Sequence, residues 1–284
     1  MFIEKYRPKS FDDVVGQQDI IKQISKYIEK KGSIPNLLFI GDPGTGKTSL
    51  AYIITRALFG DNYINSFLEL NASSDRGIEV VRKRIQEFAR TKSFHKFKIV
   101  FLDEASEITK DAQHALRRIM EVNYKNCRFI LSCNYQEKIT SAIQSRCKVF
   151  IFKRISNQDL FNLAKRVASY EKVKIKKSQL KVMVLDSGGD ARRLLNTLEI
   201  FAGGEVEGYE ESLDDLFSLG IEEFASLVYS IDNERILNRL VDQAFKLKSR
   251  KAVLILADCD ARFRLGCIKS LQLISAFLKL KQIT

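Results

Sequence analysis

The 284-residue chain is 45% apolar, enough for two or three domains with real cores, and carries 47 Lys and Arg against 35 Asp and Glu, a net charge of +12 that suggests a polyanionic partner. No apolar run is long enough to cross a membrane, and the start Met1-Phe2-Ile3-Glu4-Lys5-Tyr6-Arg7-Pro8 is charged at once, so no signal peptide is expected. Five cysteines (Cys127, Cys133, Cys147, Cys259, Cys267) form no C-x-x-C pair and read as reduced thiols of an intracellular protein, and two histidines, His95 and His114, are too few for a His-based metal site.

In chain order, Leu37-Leu38-Phe39-Ile40 predicts a buried strand and Ser49-Leu50-Ala51-Tyr52-Ile53-Ile54 a helix. Between them Gly41-Asp42-Pro43-Gly44-Thr45-Gly46-Lys47-Thr48 fits G-x-x-x-x-G-K-[ST], the phosphate-binding P-loop. Its glycines allow successive backbone N–H groups to face one anionic centre. Lys47 would then reach the β- and γ-phosphates, and Thr48 would offer its hydroxyl to Mg²⁺. A random chain of this length matches the pattern about once in a hundred tries. The strand–loop–helix setting makes nucleotide binding the better reading.

Further along, 66–70 reads as a strand, 77–90 as a helix and 97–102 as a strand ending at Asp103. Residues 112–120 read as a helix with Ala112, Ala115, Leu116, Ile119 and Met120 on one stripe, and 128–132 and 148–152 as short strands. This alternation predicts an α/β domain with a parallel sheet flanked by helices. After Lys153 the strands stop. Patterns at 159–170, 178–186 and 190–201 predict a three-helix unit, and Gly203-Gly204-Glu205-Val206-Glu207-Gly208 reads as a linker. Four helical stretches follow near 213–217, 221–229, 233–247 and 251–281, with a break expected at Gly266.

Ile99-Val100-Phe101-Leu102-Asp103-Glu104 is an apolar strand ending in two carboxylates. Strand ends often carry acids, but this pair follows a P-loop by about fifty residues in an α/β pattern, as a Walker B element would. Asp103 is then placed to hold Mg²⁺ through water and Glu104 to polarise an attacking water. Asn134, after Ser132-Cys133, would lie beside the tip of the P-loop strand and orient that water, although an Asn there is more often a turn residue. Arg146, in Ser145-Arg146-Cys147, reads either as a surface charge or as a group that reaches a neighbour's γ-phosphate. On the 77–90 wheel, Ile78, Val81, Ile85, Phe88 and Ala89 form an apolar stripe beside Arg82, Lys83, Gln86 and Arg90. That second face either follows phosphates without reading sequence or is a solvated basic surface.

Taken together, these motifs resemble a small subunit of replication factor C, the sliding-clamp loader within the AAA+ family. Glu4-Lys5-Tyr6-Arg7-Pro8 and Asp13-Val14-Val15-Gly16-Gln17 resemble the segments that enclose adenine there. Leu70-Asn71-Ala72-Ser73-Ser74-Asp75 resembles the family's LNASD stretch, Asp103-Glu104-Ala105-Ser106 its DEAD box with Ser in the last place, Ser145-Arg146-Cys147 its SRC motif and Gly189-Asp190-Ala191-Arg192 its sensor 2. The similarity runs over residues 1–202. Beyond Gly204 it extends only to helical character, over a stretch shorter than the usual collar.

The resemblance implies an AAA+ ATPase domain over 1–153, a three-helix lid over 154–203 and a helical collar over 204–284. It implies ATP and Mg²⁺ as ligands, held by Tyr6, Arg7, Val14, Val15, Gln17, the loop Gly41, Asp42, Pro43, Gly44, Thr45, Gly46, Lys47, Thr48 and Ser49, and Asp103. Asn134 would be sensor 1 and Arg192 a γ-phosphate sensor in cis. Arg146 would be a finger acting in trans, and Asn71 a switch that restrains Glu104 until DNA binds. It favours the DNA reading of Arg82, Lys83, Gln86 and Arg90. The partners implied are other small subunits, a large subunit, a PCNA-like clamp and primer–template DNA gripped by its backbone. The expected setting is intracellular, cytoplasmic in a prokaryote and nuclear in a eukaryote. The alternatives are a branch-migration AAA+ motor, which would want a winged-helix domain at the C-terminus, and a scaffold subunit, which would want a degraded P-loop.

Overall fold

The computed structural model describes residues 1–72, 78–91, 93, 95–203, 220, 221, 224, 225, 228, 233–246, 249–265 and 267–282. Ser73, Ser74, Asp75, Gly77, the 204–208 linker, the 213–217 stretch, most of 221–229 and Gly266 lie outside the described residues. The chain divides into two compact units, Met1–Glu205 and Val206–Thr284.

The first unit is built on five parallel strands: β1 (Leu37–Ile40), β2 (Phe67–Asn71), β3 (Lys98–Asp103), β4 (Cys127–Cys133) and β5 (Lys148–Ile151), in the order β2-β3-β4-β1-β5. The inner strands β3, β4 and β1 are largely apolar and buried because both sheet faces are covered. Strand alternation sorts the β1 side chains. Leu38 and Ile40 pack with the side carrying Ile85, Leu116 and Ile119, from α4 (Ile78–Arg90) and α5 (Lys110–Val122). Leu37 and Phe39 pack with Ile24, Leu50 and Ile54, from α2 (Gln18–Lys31) and α3 (Lys47–Phe59). The predicted α5 stripe faces the core with Ala112, Leu116, Ile119 and Met120 buried and Ala115 half-buried.

Sequence reasoning gave no helix to α1 (Phe2–Lys5), α2 or α6 (Ser141–Gln144). α1 and α6 are one turn each, too short to show a period. α2 has apolar residues at 20, 21, 24 and 28, but its N-cap is Gln17 in the left-handed region (φ 60) rather than a Ser, Thr or Asp signal.

Three helices follow the sheet: α7 (Asn157–Tyr170), α8 (Lys177–Ser187) and α9 (Ala191–Ala202). Ser156 caps α7 by accepting from Asp159 N, and Asp190 caps α9 by accepting from Arg192 N and Arg193 N. Gly188, in the left-handed conformation (φ 58), ends α8. The second unit contains α10 (Asn233–Lys246), α11 (Arg250–Arg264) and α12 (Lys269–Lys281). They pack around Leu240, Leu256, Leu273 and Phe277, with Phe224 stacked on Phe277 at 3.8 Å. The 251–281 stretch, in which a break is expected, is two helices, with Leu265 capping the first.

Candidate active site

The strand order decides what meets what. β1 lies between β4 and β5, and β4 lies between β1 and β3. Their C-terminal ends therefore bring the loop after Ile40, the Asp103–Glu104 pair and Asn134 to one edge of the sheet, where open α/β sheets bind ligands. A cleft there is lined by Pro43 through Ser49, Asp103, Glu104, Ser132, Asn134 and Arg192. Tyr6, Arg7, Val14 and Val15 line it from the N-terminal segment.

Gly44 and Gly46 have φ of +69 and +98, which only glycine adopts without strain. A Cβ on Gly44 would lie 1.6 Å from Asp190 Oδ1, so the loop and the start of α9 touch through a residue that must lack a side chain. Lys47 folds back into the loop. Its Nζ donates to Gly41 O at 2.6 Å, Asp42 O at 2.9 Å and Asn134 Oδ1 at 3.1 Å. It is 8% exposed. Burial pulls the ammonium below its ordinary pKa, and the Asp103 carboxylate opposes that pull.

Thr48 Oγ1 donates to Asp103 Oδ2 at 2.9 Å. Asp103 Oδ1 accepts from the Ser132 hydroxyl and from Glu104 N, the latter at 3.1 Å. Glu104 adopts a left-handed backbone (φ 55), and its N–H also reaches Ser132 Oγ at 3.3 Å. The side chain of Glu104 is exposed at the cleft mouth while Asp103 is half-buried beneath it. The two adjacent acids thus have different surroundings, one tied by hydroxyls and one free to meet a water.

The N-terminal segment is fastened to α7 and α9. Tyr6 OH donates to Glu171 Oε1 at 2.6 Å, Lys5 Nζ pairs with the same oxygen at 2.6 Å, and Phe2 N donates to Glu199 Oε2 at 3.0 Å. Burial and the Glu171 bond push the Tyr6 phenol up to about 12. Arg7 lies over the Tyr52 ring at 5.7 Å. Gln17 is outside the cleft lining, with Nε2 donating to Lys153 O at 2.6 Å and to Thr45 O at 3.5 Å. Gly41 and Asp42 meet the site through the carbonyls that take Lys47.

The remaining predicted residues lie elsewhere. Arg146 precedes β5, whose first residue Lys148 is paired with Leu37 at the start of β1. It therefore sits at the edge of the sheet opposite the cleft, where Glu121 holds its Nη2 at 2.6 Å. Asn71 ends β2 in register with Asp103. Arg82, Gln86 and Arg90 line a groove between α4 and α5 together with Arg118, and Lys83 is exposed outside it. Sequence reasoning gave no role to Ser132, Arg118, or Ile155, Leu163 and Leu195, which also line the cleft. The Arg117-Arg118 pair opposite the α5 stripe was the visible signal for Arg118. Ser132, Ile155, Leu163 and Leu195 needed the fold.

The ATPase family associated with various cellular activities (AAA) matches residues 37–155. A replication factor C small subunit of Archaeoglobus fulgidus is 49% identical over 72% of this chain and 65% of its own. That of Methanococcus vannielii is 46% identical over 70% and 63%, and that of Methanoculleus marisnigri 37% over 95% and 88%. The chain thus spans a little under two thirds of the first two relatives. The Thermotoga maritima RuvB Holliday junction branch migration motor shares the fold, with a TM-score of 0.61 at 19% identity over 85% of this chain and 80% of that one. With the P-loop edge assembled as described and the third relative covered almost end to end, the chain belongs to the replication factor C small subunit family.

Proposed function

We propose that this chain is an ATP-hydrolysing small subunit of a clamp loader, which works in a multi-subunit ring to open a PCNA-like clamp and load it on primer–template DNA. One relationship carries the reading: Lys47, Thr48, Asp103 and Asn134 meet at one sheet edge, while Arg146 stands at the opposite edge. A subunit built this way has a binding site on one side and a cation for the next subunit on the other.

Tyr6, Arg7, Val14 and Val15, with Leu163 and Leu195 opposite, would enclose adenine in the half-apolar part of the cleft. The loop amides and Lys47 would take the β- and γ-phosphates, releasing the ammonium from the carbonyls it now contacts. Thr48 and Asp103 suit Mg²⁺, because a hydroxyl and a carboxylate 2.9 Å apart are hard oxygen donors converging on one point. When bound, Mg²⁺ would neutralise charge on the phosphate oxygens. Glu104 would polarise the attacking water, Asn134 would orient it, and Arg192 would report on the γ-phosphate from the lid. Arg146 would complete the neighbouring subunit's site. Asn71, beside Asp103, would hold Glu104 in check until DNA engages.

DNA would lie along Arg82, Lys83, Gln86 and Arg90, touched through phosphates and not bases. Functionally the chain would divide into an ATPase domain (1–153), a lid (154–203) and a collar (204–284). The archaeal relatives make the cytoplasm the expected setting, and no helix among the described residues is long and apolar enough to cross a membrane. The test is the ATPase rate of the chain alone and with its candidate large subunit, clamp and primed DNA. A low rate alone and a rise on assembly are expected. A rate indifferent to all three partners would reject the assignment.

A further inference from the structure

Asp42 is an electrostatic anomaly. It is a carboxylate inside a loop whose glycines, amides and lysine are arranged for an anion, and its charge opposes that use. It cannot swing far away. Its carbonyl accepts Lys47 Nζ at 2.9 Å and Thr45 Oγ1 at 2.7 Å, which holds its backbone in the loop. Lys47 feels the Asp42 charge, which favours its protonated form.

Among the described residues, one side chain forms an ion pair with its carboxylate. Arg154 Nε donates to Asp42 Oδ2 at 2.7 Å. Arg154 lies between β5 and α7, on the strand-to-lid connection, and its stem is fixed there. A Cβ at Gly189 (φ +92) would come within 2.6 Å of Arg154 Cβ, and Ile155 N donates to Gly189 O at 3.1 Å. The second acid against the loop, Asp190, is already compensated, because its Oδ1 accepts from Arg192 N at 2.8 Å and Arg193 N at 3.0 Å at the start of α9. Asp42 has no helix terminus to serve it. The Arg154 and Asp42 side chains are 70% and 49% exposed, so their pair contributes little to folding stability. Its consequence is for the field at the loop.

We propose that Arg154 is a positioning residue for nucleotide binding, neutralising Asp42 so that the phosphate loop presents a positive field to a nucleoside triphosphate. This rests on the nucleotide-binding reading above. The pair also joins the loop to the lid connection, so the compensation depends on the lid being seated.

The test is calorimetric titration of the full chain with Mg²⁺–ATP and Mg²⁺–ADP at low and high salt. R154Q is expected to weaken ATP binding about tenfold at low ionic strength, less for ADP because it carries less charge, and less for both at high salt. R154K keeps the charge and should restore most of the affinity. D42N/R154Q should recover what R154Q loses, because the uncompensated acid is gone. Three outcomes would overturn the inference: R154Q binding as the wild type does, the double variant losing as much as R154Q, or a loss equal for ATP and ADP and indifferent to salt. K47A separates the two levels. If the wild type binds ATP and K47A does not, an unaffected R154Q removes the inference alone. If neither wild type nor K47A binds ATP, the nucleotide reading falls and the inference with it.

Discussion

Thr48 Oγ1 meets Asp103 Oδ2 at 2.9 Å although 55 residues separate them in sequence. The contact exists because β1 and β3 run parallel with β4 inserted between them, which leaves both strand tips on one edge. The Ser132 hydroxyl, on the inserted strand, holds the other Asp103 oxygen. One carboxylate is thereby oriented from two elements, the kind of preorganisation that makes electrostatic stabilisation effective.

Lys47→Ala should abolish hydrolysis, with a loss of about a hundredfold or more, and weaken ATP binding. The ammonium is the cation held inside the loop by three acceptors. The fold should survive, since Lys47 is buried at a cost to its charged form and touches no core residue through Nζ. Turnover and thermal melting measured on a loader whose other ATP sites are disabled would check both halves. Unchanged turnover would remove Lys47 from the site.

Glu104→Gln should preserve ATP and clamp binding and stall hydrolysis, by about 10²–10⁴, the usual contribution of a general base. The left-handed backbone at Glu104 is fixed by its N–H bonds to Asp103 and Ser132, which the substitution leaves intact. Asp103 stays as the hydroxyl-bonded acid. The loader should then accumulate as a clamp-bound complex, visible by gel filtration. Normal release of clamp would count against the role.

The sheet and its P-loop could be read from sequence because each inner strand carries an apolar run of three or more residues and the loop has a fixed spacing. Leu37 to Ile40 and Lys98 to Asp103 lie within a residue of expectation. What could not be read were contacts made by short polar groups across the fold. Ser132 holding Asp103 and Glu171 holding Tyr6 join residues with no periodic signature. α2 was hidden for a related reason: its first turn is set by a left-handed Gln17 tied to Lys153, 136 residues away, rather than by a local cap.

The basic face of α4 makes an ionic-strength prediction. Neutralising Arg82, Lys83 and Arg90 together should weaken DNA binding similarly for all sequences. It should also flatten the plot of log affinity against log salt, by up to about 0.9 for each phosphate left without a cation. Arg118 lines the same groove, so adding Arg118→Gln should flatten it further. An unaltered slope would mark this face as ordinary solvated surface.

The thiols should differ sharply in reactivity. Burial pushes Cys127, Cys133 and Cys259 up to about 11 and Cys147 up to about 12. At pH 8 a thiol near 11 is about one-thousandth thiolate, and the thiolate is the nucleophile. Cys267 is exposed. Titration of the native, unassembled chain with an aromatic disulfide should give one fast thiol that Cys267→Ser removes, and four that react only on unfolding. A second fast thiol would contradict the burial.

Arg146 offers the strongest test of the assembly. It stands at the edge of the sheet opposite its own P-loop, with Glu121 at 2.6 Å, so it cannot reach a phosphate bound by Lys47 of the same chain. Arg146→Ala should leave nucleotide affinity of this subunit nearly intact, because Lys47, Thr48 and Arg192 remain. It should still cut hydrolysis by the assembly, since an arginine finger contributes about 10³–10⁵ in rate at the site it serves. Removing the Glu121 partner by Glu121→Gln should not mimic it, because that change leaves the guanidinium present. Mixing distinguishes trans from cis action. In rings combining Lys47→Ala subunits with Arg146→Ala subunits, some interfaces unite an intact P-loop with an intact finger, and those interfaces should hydrolyse ATP. If the finger served its own chain, both kinds of subunit would be inactive in any company. Co-assembled mixtures with no activity above that of the two parents would therefore reject the trans role.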